Sequence, residues 1–241
     1  MAKRKSGGWL ETIKTVVYAG LIAIGIRTVA FEPFNIPSAS MVPTLLVGDY
    51  LFVSKYSYGY SRFSMPFSPR LWEGRIFASM PDRGDVAVFR WPRDDSTDYI
   101  KRIVGLPGDR VQMIGGVLYL NGAAVRREAA GLCEEDGTGT RIRSRRYRET
   151  LPGGRTHYIC EFSDNERFDN TEEFHVPAGH VFAMGDNRDN SSDSRDFGPG
   201  GVGYVPVENL IGRAEIIFFS HEGPFWQAWN WRFRRFLDAI R

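Results

Sequence analysis

From Phe31 onward the apolar residues come in runs of four to six, each closed by a turn signal. That spacing limits the fold of this 241-residue chain more than any other feature. The runs include Asp49–Val53, Asp85–Phe89, Tyr99–Val104 and Val117–Leu120, and the turns include Leu106-Pro-Gly-Asp109, Asn121-Gly122 and Pro152-Gly-Gly154. Such runs are too short for helices, and their Gly, Pro and Asn boundaries predict antiparallel strands. Generous glycine (26) and aromatic (14%) content agrees with a β-rich fold of many turns. The length allows one large domain or two small ones, with a real core.

Before Phe31 the pattern differs. Lys3, Arg4 and Lys5 precede an uninterrupted apolar run of 12 residues, Thr15–Ile26, followed by Arg27. At about 1.5 Å per residue this run covers only about 18 Å of a roughly 30 Å hydrocarbon layer. It spans only if Lys14 and Arg27 snorkel and Trp9, Leu10, Val29, Ala30 and Phe31 extend it. Three readings stay open on hydropathy: a membrane anchor with a cytoplasmic basic end, a cleaved signal peptide, and an amphipathic or core helix. Arg27, beside the poor cleavage site Thr28-Val-Ala30, speaks against the signal peptide.

Composition excludes several classes. A mean hydropathy of −0.31 leaves room for at most one spanning segment. With 25% charged residues, wholesale disorder is excluded. A net charge of +2 and a pI near 8.5 do not argue for nucleic acid. Four histidines show no metal-ligand spacing, and two cysteines exclude a disulfide-dense scaffold. Cys133 and Cys160 either pair in an oxidising compartment or remain two buried thiols.

Two stretches read ambiguously. Between Arg126 and Asn170 the chain is Arg-rich, with Arg141, Arg143, Arg145, Arg146 and Arg148 close together. A solvated strand face is favoured over a nucleic-acid or anionic-lipid patch, because no aromatic stacking residues are interleaved. In Pro224–Arg241, Trp226, Trp229, Phe233, Phe236, Leu237 and Ile240 recur at three- and four-residue steps, which predicts an amphipathic helix, docked or interfacial. The Pro-punctuated stretch Tyr58–Met80 reads as an exposed hairpin or loop rather than core.

Three segments can carry chemistry. In Phe34-Asn-Ile-Pro-Ser-Ala-Ser-Met-Val-Pro-Thr-Leu45, Ser38 and Ser40 are two apart and share one side of an extended backbone. In Asp98–Asp109, strand alternation puts Tyr99, Lys101 and Ile103 on one face, so Lys101 has apolar neighbours. Burial there would lower its pKa and free a neutral amine to act as base. Gly185–Gly198 fails as a calcium loop: counted from Asp189, position 6 is Ser194 and position 12 is Gly200. It reads instead as a rigid polar loop held by Asp–Arg pairs.

Taken together, these segments resemble the bacterial type I signal peptidase family. Pro37-Ser-Ala-Ser-Met-Val-Pro-Thr44 matches its serine box, continued by Asp49–Val53. Arg83–Phe89 matches a further box, Lys101–Asp109 the lysine box and Gly185–Arg195 the last, all in family order. Ala39 stands where many members have Gly. The resemblance implies a mostly β fold: an antiparallel catalytic domain (31–110 and 177–220), a smaller inserted β subdomain (111–176), an N-terminal transmembrane helix (1–30) and an amphipathic tail (221–241).

It also implies a serine–lysine endopeptidase that removes signal peptides from exported preproteins after a small-x-small site. Ser40 would be the nucleophile and Lys101 the base. The Ser38 hydroxyl and the Ser40 amide would form the oxyanion hole. Ser191 would orient Lys101 through a hydrogen bond, and Asp193 and Arg195, with Asp186 and Arg188, would brace the loop. Substrate would add as a strand between the stretch ending at Pro37 and Asp98–Lys101. Ile36, Pro37, Met41, Leu45, Tyr99 and Ile100 are placed to line its pockets.

The same resemblance implies no cofactor, metal or nucleic acid. It implies an uncleaved single-pass anchor in the bacterial inner membrane with the catalytic part on the periplasmic side. Partners would be preproteins, the bilayer and the nearby secretion translocon. The loop around Phe63, Phe67, Leu71 and Trp72, with the Trp-rich tail, would touch the membrane surface. Two rivals are a self-cleaving repressor, which lacks room here for a DNA-binding module, and a membrane-tethered β module that binds extended peptides without cutting.

Overall fold

The computed structural model describes residues 8–65, 68–69, 72–94, 96–133 and 143–241. Lys3, Arg4, Lys5, Phe67, Leu71 and Arg141, invoked above, lie outside them. A single helix, α1 (Gly8–Val29), begins the described chain and buries none of its 22 residues. Its length is about 33 Å at ~1.5 Å per residue, enough for a hydrocarbon layer of about 30 Å. The helix outruns the 12-residue apolar core because its charges are paired locally. Glu11 lies 3.4 Å from Lys14, and Arg27 folds onto Glu32 at 2.8 Å. Its apolar residues lie on all sides, so it has no amphipathic face.

The rest is β with short 3₁₀ turns. The strands are β1 (Phe31–Asn35), β2 (Asp49–Ser54), β3 (Val86–Arg90), β4 (Asp98–Gly105), β5 (Arg110–Ile114), β6 (Val117–Leu120), β7 (Ala123–Ala124) and β8 (Arg126–Cys133). They continue as β9 (Ser144–Thr150), β10 (Thr156–Glu161), β11 (Phe174–His175), β12 (His180–Met184), β13 (Val205–Pro206), β14 (Leu210–Ser220) and β15 (Asp238–Ala239).

The large antiparallel sheet has the order β1-β2-β14-β3-β4-β12-β13, with β15 added to β14. The chain leaves this sheet after β4 and returns at β12, which pairs with β4. Between them it forms a four-stranded sheet, β11-β5-β6-β7, and a three-stranded sheet, β10-β9-β8. The main core includes Leu51, Val53, Val86, Val88, Ile211 and Ile217 from the large sheet. A second core joins Val104 and Phe182 to Val111, Met113 and Leu118, so the four-stranded sheet packs continuously on the large one.

The arginines of β9 each meet local acceptors. Arg145 pairs with Asp164, Arg148 with Glu128, and Arg146 donates to the Ala130 carbonyl. Cys133 and Cys160 are joined as a disulfide with Cα atoms 6.1 Å apart.

Two expectations fail. The tail is not a helix: it makes 3₁₀ turns at Ala228–Asn230 and Phe233–Arg235, then pairs as β15 with Ile216 and Ile217. The three-four spacing misleads because return along the long strand β14 supplies the backbone hydrogen bonds, while arginines hold the turns. Arg232 donates to the His221 carbonyl, and Arg235 to Asp49 and the Thr44 carbonyl. Nor is Tyr58–Met80 wholly exposed. Tyr58 and Phe63 are buried, and Phe63 belongs to the main core with the Arg62 guanidinium over its ring. Arg75 pins the segment by donating to the carbonyls of Tyr58, Gly59 and Leu210, which turns a loop into a packed one.

Candidate active site

Ser40 lies in a 3₁₀ turn, Ala39–Met41, directly after the extended stretch that follows β1. Pro37 and Pro43 on either side discourage a longer helix. The turn, rather than strand alternation, brings the two serines together: Ser38 Oγ and Ser40 Oγ are 3.3 Å apart. The turn sits on the core through Met41 and Leu45, both fully buried, and Ile36 is buried beside them. These three therefore do not line a pocket; their side chains carry the turn from below.

Lys101 enters from β4 and is 3% exposed. Its Nζ lies 2.6 Å from Ser40 Oγ and 3.0 Å from the Ile100 carbonyl oxygen. Desolvation by burial, only partly opposed by Asp193 and Asp186, lowers its pKa to about 8. A neutral amine within hydrogen-bond reach of a serine hydroxyl can accept its proton.

The polar loop Gly185–Arg195 closes the far side. Asp193 and Arg195 form a doubly hydrogen-bonded pair at 2.9 and 2.8 Å, and Asp193 also accepts from the Gly185 amide. Burial would raise the Asp193 carboxyl, but the Arg195 guanidinium holds it below its ordinary value. Asp186 accepts two bonds from Arg102, at 2.8 and 2.6 Å, and one from Thr44 Oγ1. Strand alternation explains this division: Lys101 points to the serine, and Arg102 on the opposite face grips the loop. Arg188 reaches away, to Glu149 on β9.

The expected bond from Ser191 to Lys101 is not made. Lys101 is occupied by Ser40 and the Ile100 carbonyl, and the buried Ser191 Oγ has no partner among the described residues. Ser191 packs instead against Gly185, where a Cβ would lie 2.2 Å from Ser191 Oγ and 2.5 Å from the Ser40 carbonyl oxygen. Only glycine allows that approach.

An open cleft of about 370 Å³ runs past Ser38, Ser40 and Lys101. Pro37, Tyr99 and Ile100 are among the residues that line it. Phe34, Asp98, Asn190 and Ser192 also line it and were missed, since nothing in their spacing marks them. Its walls are two free strand edges. Among the described residues β1 pairs only with β2, and β12 pairs with Arg102, Ile103 and Gly105 of β4, leaving that side of Asp98–Lys101 unpaired. Among the described residues no group of three His, Cys, Asp or Glu side chains is placed to hold a metal ion.

Asn187 is a further residue that sequence reasoning passed over. Its amide donates to the Ser40 carbonyl at 3.1 Å and its Nδ2 to the Ala39 carbonyl at 3.1 Å. Its place inside the polar loop was the only available signal.

Comparison with known proteins finds relatives along most of the chain. The family model described as signal peptidase, peptidase S26, matches residues 9–219. A protein from Rickettsia conorii called signal peptidase I is 45% identical over 214 residues, covering 85% of this chain and 77% of that one. The Rickettsia typhi protein of the same name is 45% identical over 214 residues, covering 85% and 78%. A crystal structure of a signal peptidase I from Enterococcus faecalis V583 is 26% identical, covers 56% of this chain and 97% of that one, and has a TM-score of 0.32.

Proposed function

The chain belongs to the signal peptidase family, peptidase S26, whose members are serine endopeptidases, and from that premise we propose that Ser40 and Lys101 are its catalytic dyad. The observation that carries the reading is the 2.6 Å contact between a desolvated Lys101 amine and Ser40 Oγ. Neutral Lys101 takes the hydroxyl proton as Ser40 attacks the scissile carbonyl, then returns a proton to the leaving amine. The Ser38 hydroxyl and the Ser40 amide receive the oxyanion.

The substrate segment lies extended in the cleft between the two free edges, which supply main-chain hydrogen bonds. Alternate side chains then meet the walls near Ile100 and Pro37, where side chains too large for the site would overpack. On this reading cleavage follows a small-x-small sequence.

Helix α1 serves as an uncleaved single-pass anchor in the inner membrane, with its start in the cytoplasm and the sheets on the periplasmic side. Phe31 begins β1 at the helix end, and exposed Phe31, Phe52 and Tyr56 form an aromatic cluster there. Exposed Trp226 and Trp229 give the tail the same character. Aromatic rings of this kind settle at a bilayer interface.

The test is cleavage of a preprotein by the detergent-solubilised wild-type chain, Ser40→Ala and Lys101→Ala, with the new termini read by mass spectrometry. Wild type is expected to release one mature terminus after a small residue, and both variants to be inactive. Equal cleavage by all three would overturn the Ser40–Lys101 dyad, and peptide binding with no cleavage by any of them would leave a peptide-binding β module as the better account.

A further inference from the structure

We propose that Glu149, on β9, is a positioning residue for the nucleophile: it fixes Arg188, and through the Asp186–Arg188 segment sets the place of the Ser40 backbone. The inference rests on reading Ser40 as the nucleophile.

The chain of contacts is continuous and buried. Glu149 is 1% exposed and accepts two hydrogen bonds from Arg188, at 2.9 and 2.5 Å. The Arg188 amide donates to the Cys160 carbonyl at 2.9 Å, and the Cys160 amide donates to the Asp186 carbonyl at 2.9 Å. β10 thus holds both residues that flank Asn187. Asn187 in turn spends its amide on the Ser40 carbonyl and its side chain on the Ala39 carbonyl. The neighbouring β10 side chain, His157, lies 3.3 Å from Glu149 and 3.9 Å from Asp186, so the clamp sits where β9, β10 and the loop meet.

The serine turn is held from below by Met41 and Leu45, but those apolar contacts resist sliding weakly. Directional bonds set orientation: Asn187 donates to the Ser40 carbonyl and shares the Ala39 carbonyl with the Val42 amide, which closes the turn itself. Small displacements of a nucleophile cost rate steeply, because attack needs near-ideal placement. A buried Arg–carboxylate pair is a poor means of gaining stability, since an apolar pair of similar size often does as well. What an apolar pair cannot supply is the forked, oriented grip on Arg188.

The experiment uses the full chain in detergent with a preprotein substrate. It compares wild type, Glu149→Gln, Glu149→Asp and the apolar pair Glu149→Met with Arg188→Met, recording kcat, KM and Tm. The expected result is a fall in kcat of tenfold or more for Glu149→Gln, with KM within twofold of wild type and partial rescue by Glu149→Asp. The double variant is expected to recover Tm while kcat stays tenfold or more down. Recovery of kcat together with Tm would overturn the proposal, because the pair would then be structural only. Wild-type kcat in Glu149→Gln would overturn it too. If the wild-type chain itself fails to cleave, the dyad reading falls first and this inference with it.

Discussion

Burial takes water away from Lys101, and the amine responds by releasing its proton near pH 8 instead of near about 10.4. The charge is lost where it would cost most, which leaves an amine able to accept a proton beside Ser40 Oγ. On the proposed reading Ser38→Ala removes one oxyanion donor, so kcat is expected to fall by about 10²–10³-fold. Unchanged kcat would assign Ser38 no such part. Ser191→Ala removes a buried hydroxyl that bonds nothing among the described residues, so Tm is expected to stay level or rise. A drop of several degrees would reveal a bond absent from this geometry. At this scale the sequence was most legible: strand alternation placed Lys101 and Arg102 on opposite faces, and the family boxes named the serine and the lysine. Partners distant in the chain, such as Glu149 for Arg188 and Arg102 for Asp186, were not legible. No local pattern links residues 39 or 84 positions apart.

The elements divide in the same way. Strands with clean boundaries, such as Val86–Arg90 and Val117–Leu120, follow their apolar runs closely. The tail does not, because the spacing of Trp226, Trp229 and Phe233 says which residues are aromatic and not which backbone bonds are available. Arg235 shows what replaces the helix. It caps Asp49, a fully buried carboxylate that also accepts from Ser220 Oγ. Arg235→Ala leaves Asp49 with the more distant Arg232, at 4.0 Å, as its cation among the described residues. The expected destabilisation is on the order of 2 kcal/mol, below the about 3–5 kcal/mol of a fully buried pair, because Arg235 is partly exposed. A denaturant midpoint equal to wild type would show that the tail is not anchored there. Phe63, expected on a membrane-facing loop, lies in the main core. Phe63→Ala should cost about 3–5 kcal/mol in detergent, with no bilayer present. Loss of membrane affinity without loss of stability would reverse that assignment.

Across the whole molecule, a 22-residue apolar helix precedes a sheet whose cleft opens between two unpaired strand edges. On the proposed orientation, with the basic start in the cytoplasm, protease added outside spheroplasts is expected to digest the part beyond α1. Protection from it would contradict the orientation. The sheet order and the two sheets inserted between β4 and β12 follow from long-range pairing, which periodicity cannot report. The account as a whole depends on Lys101 acting without its proton. The most direct test is the pH dependence of kcat/KM for preprotein cleavage. Protonated Lys101 cannot accept the Ser40 proton, so the rate is predicted to climb tenfold per pH unit below about 8 and to level off above it. A rate that is flat from pH 6 to 10, or that keeps climbing toward about 10.4, would contradict a desolvated lysine base.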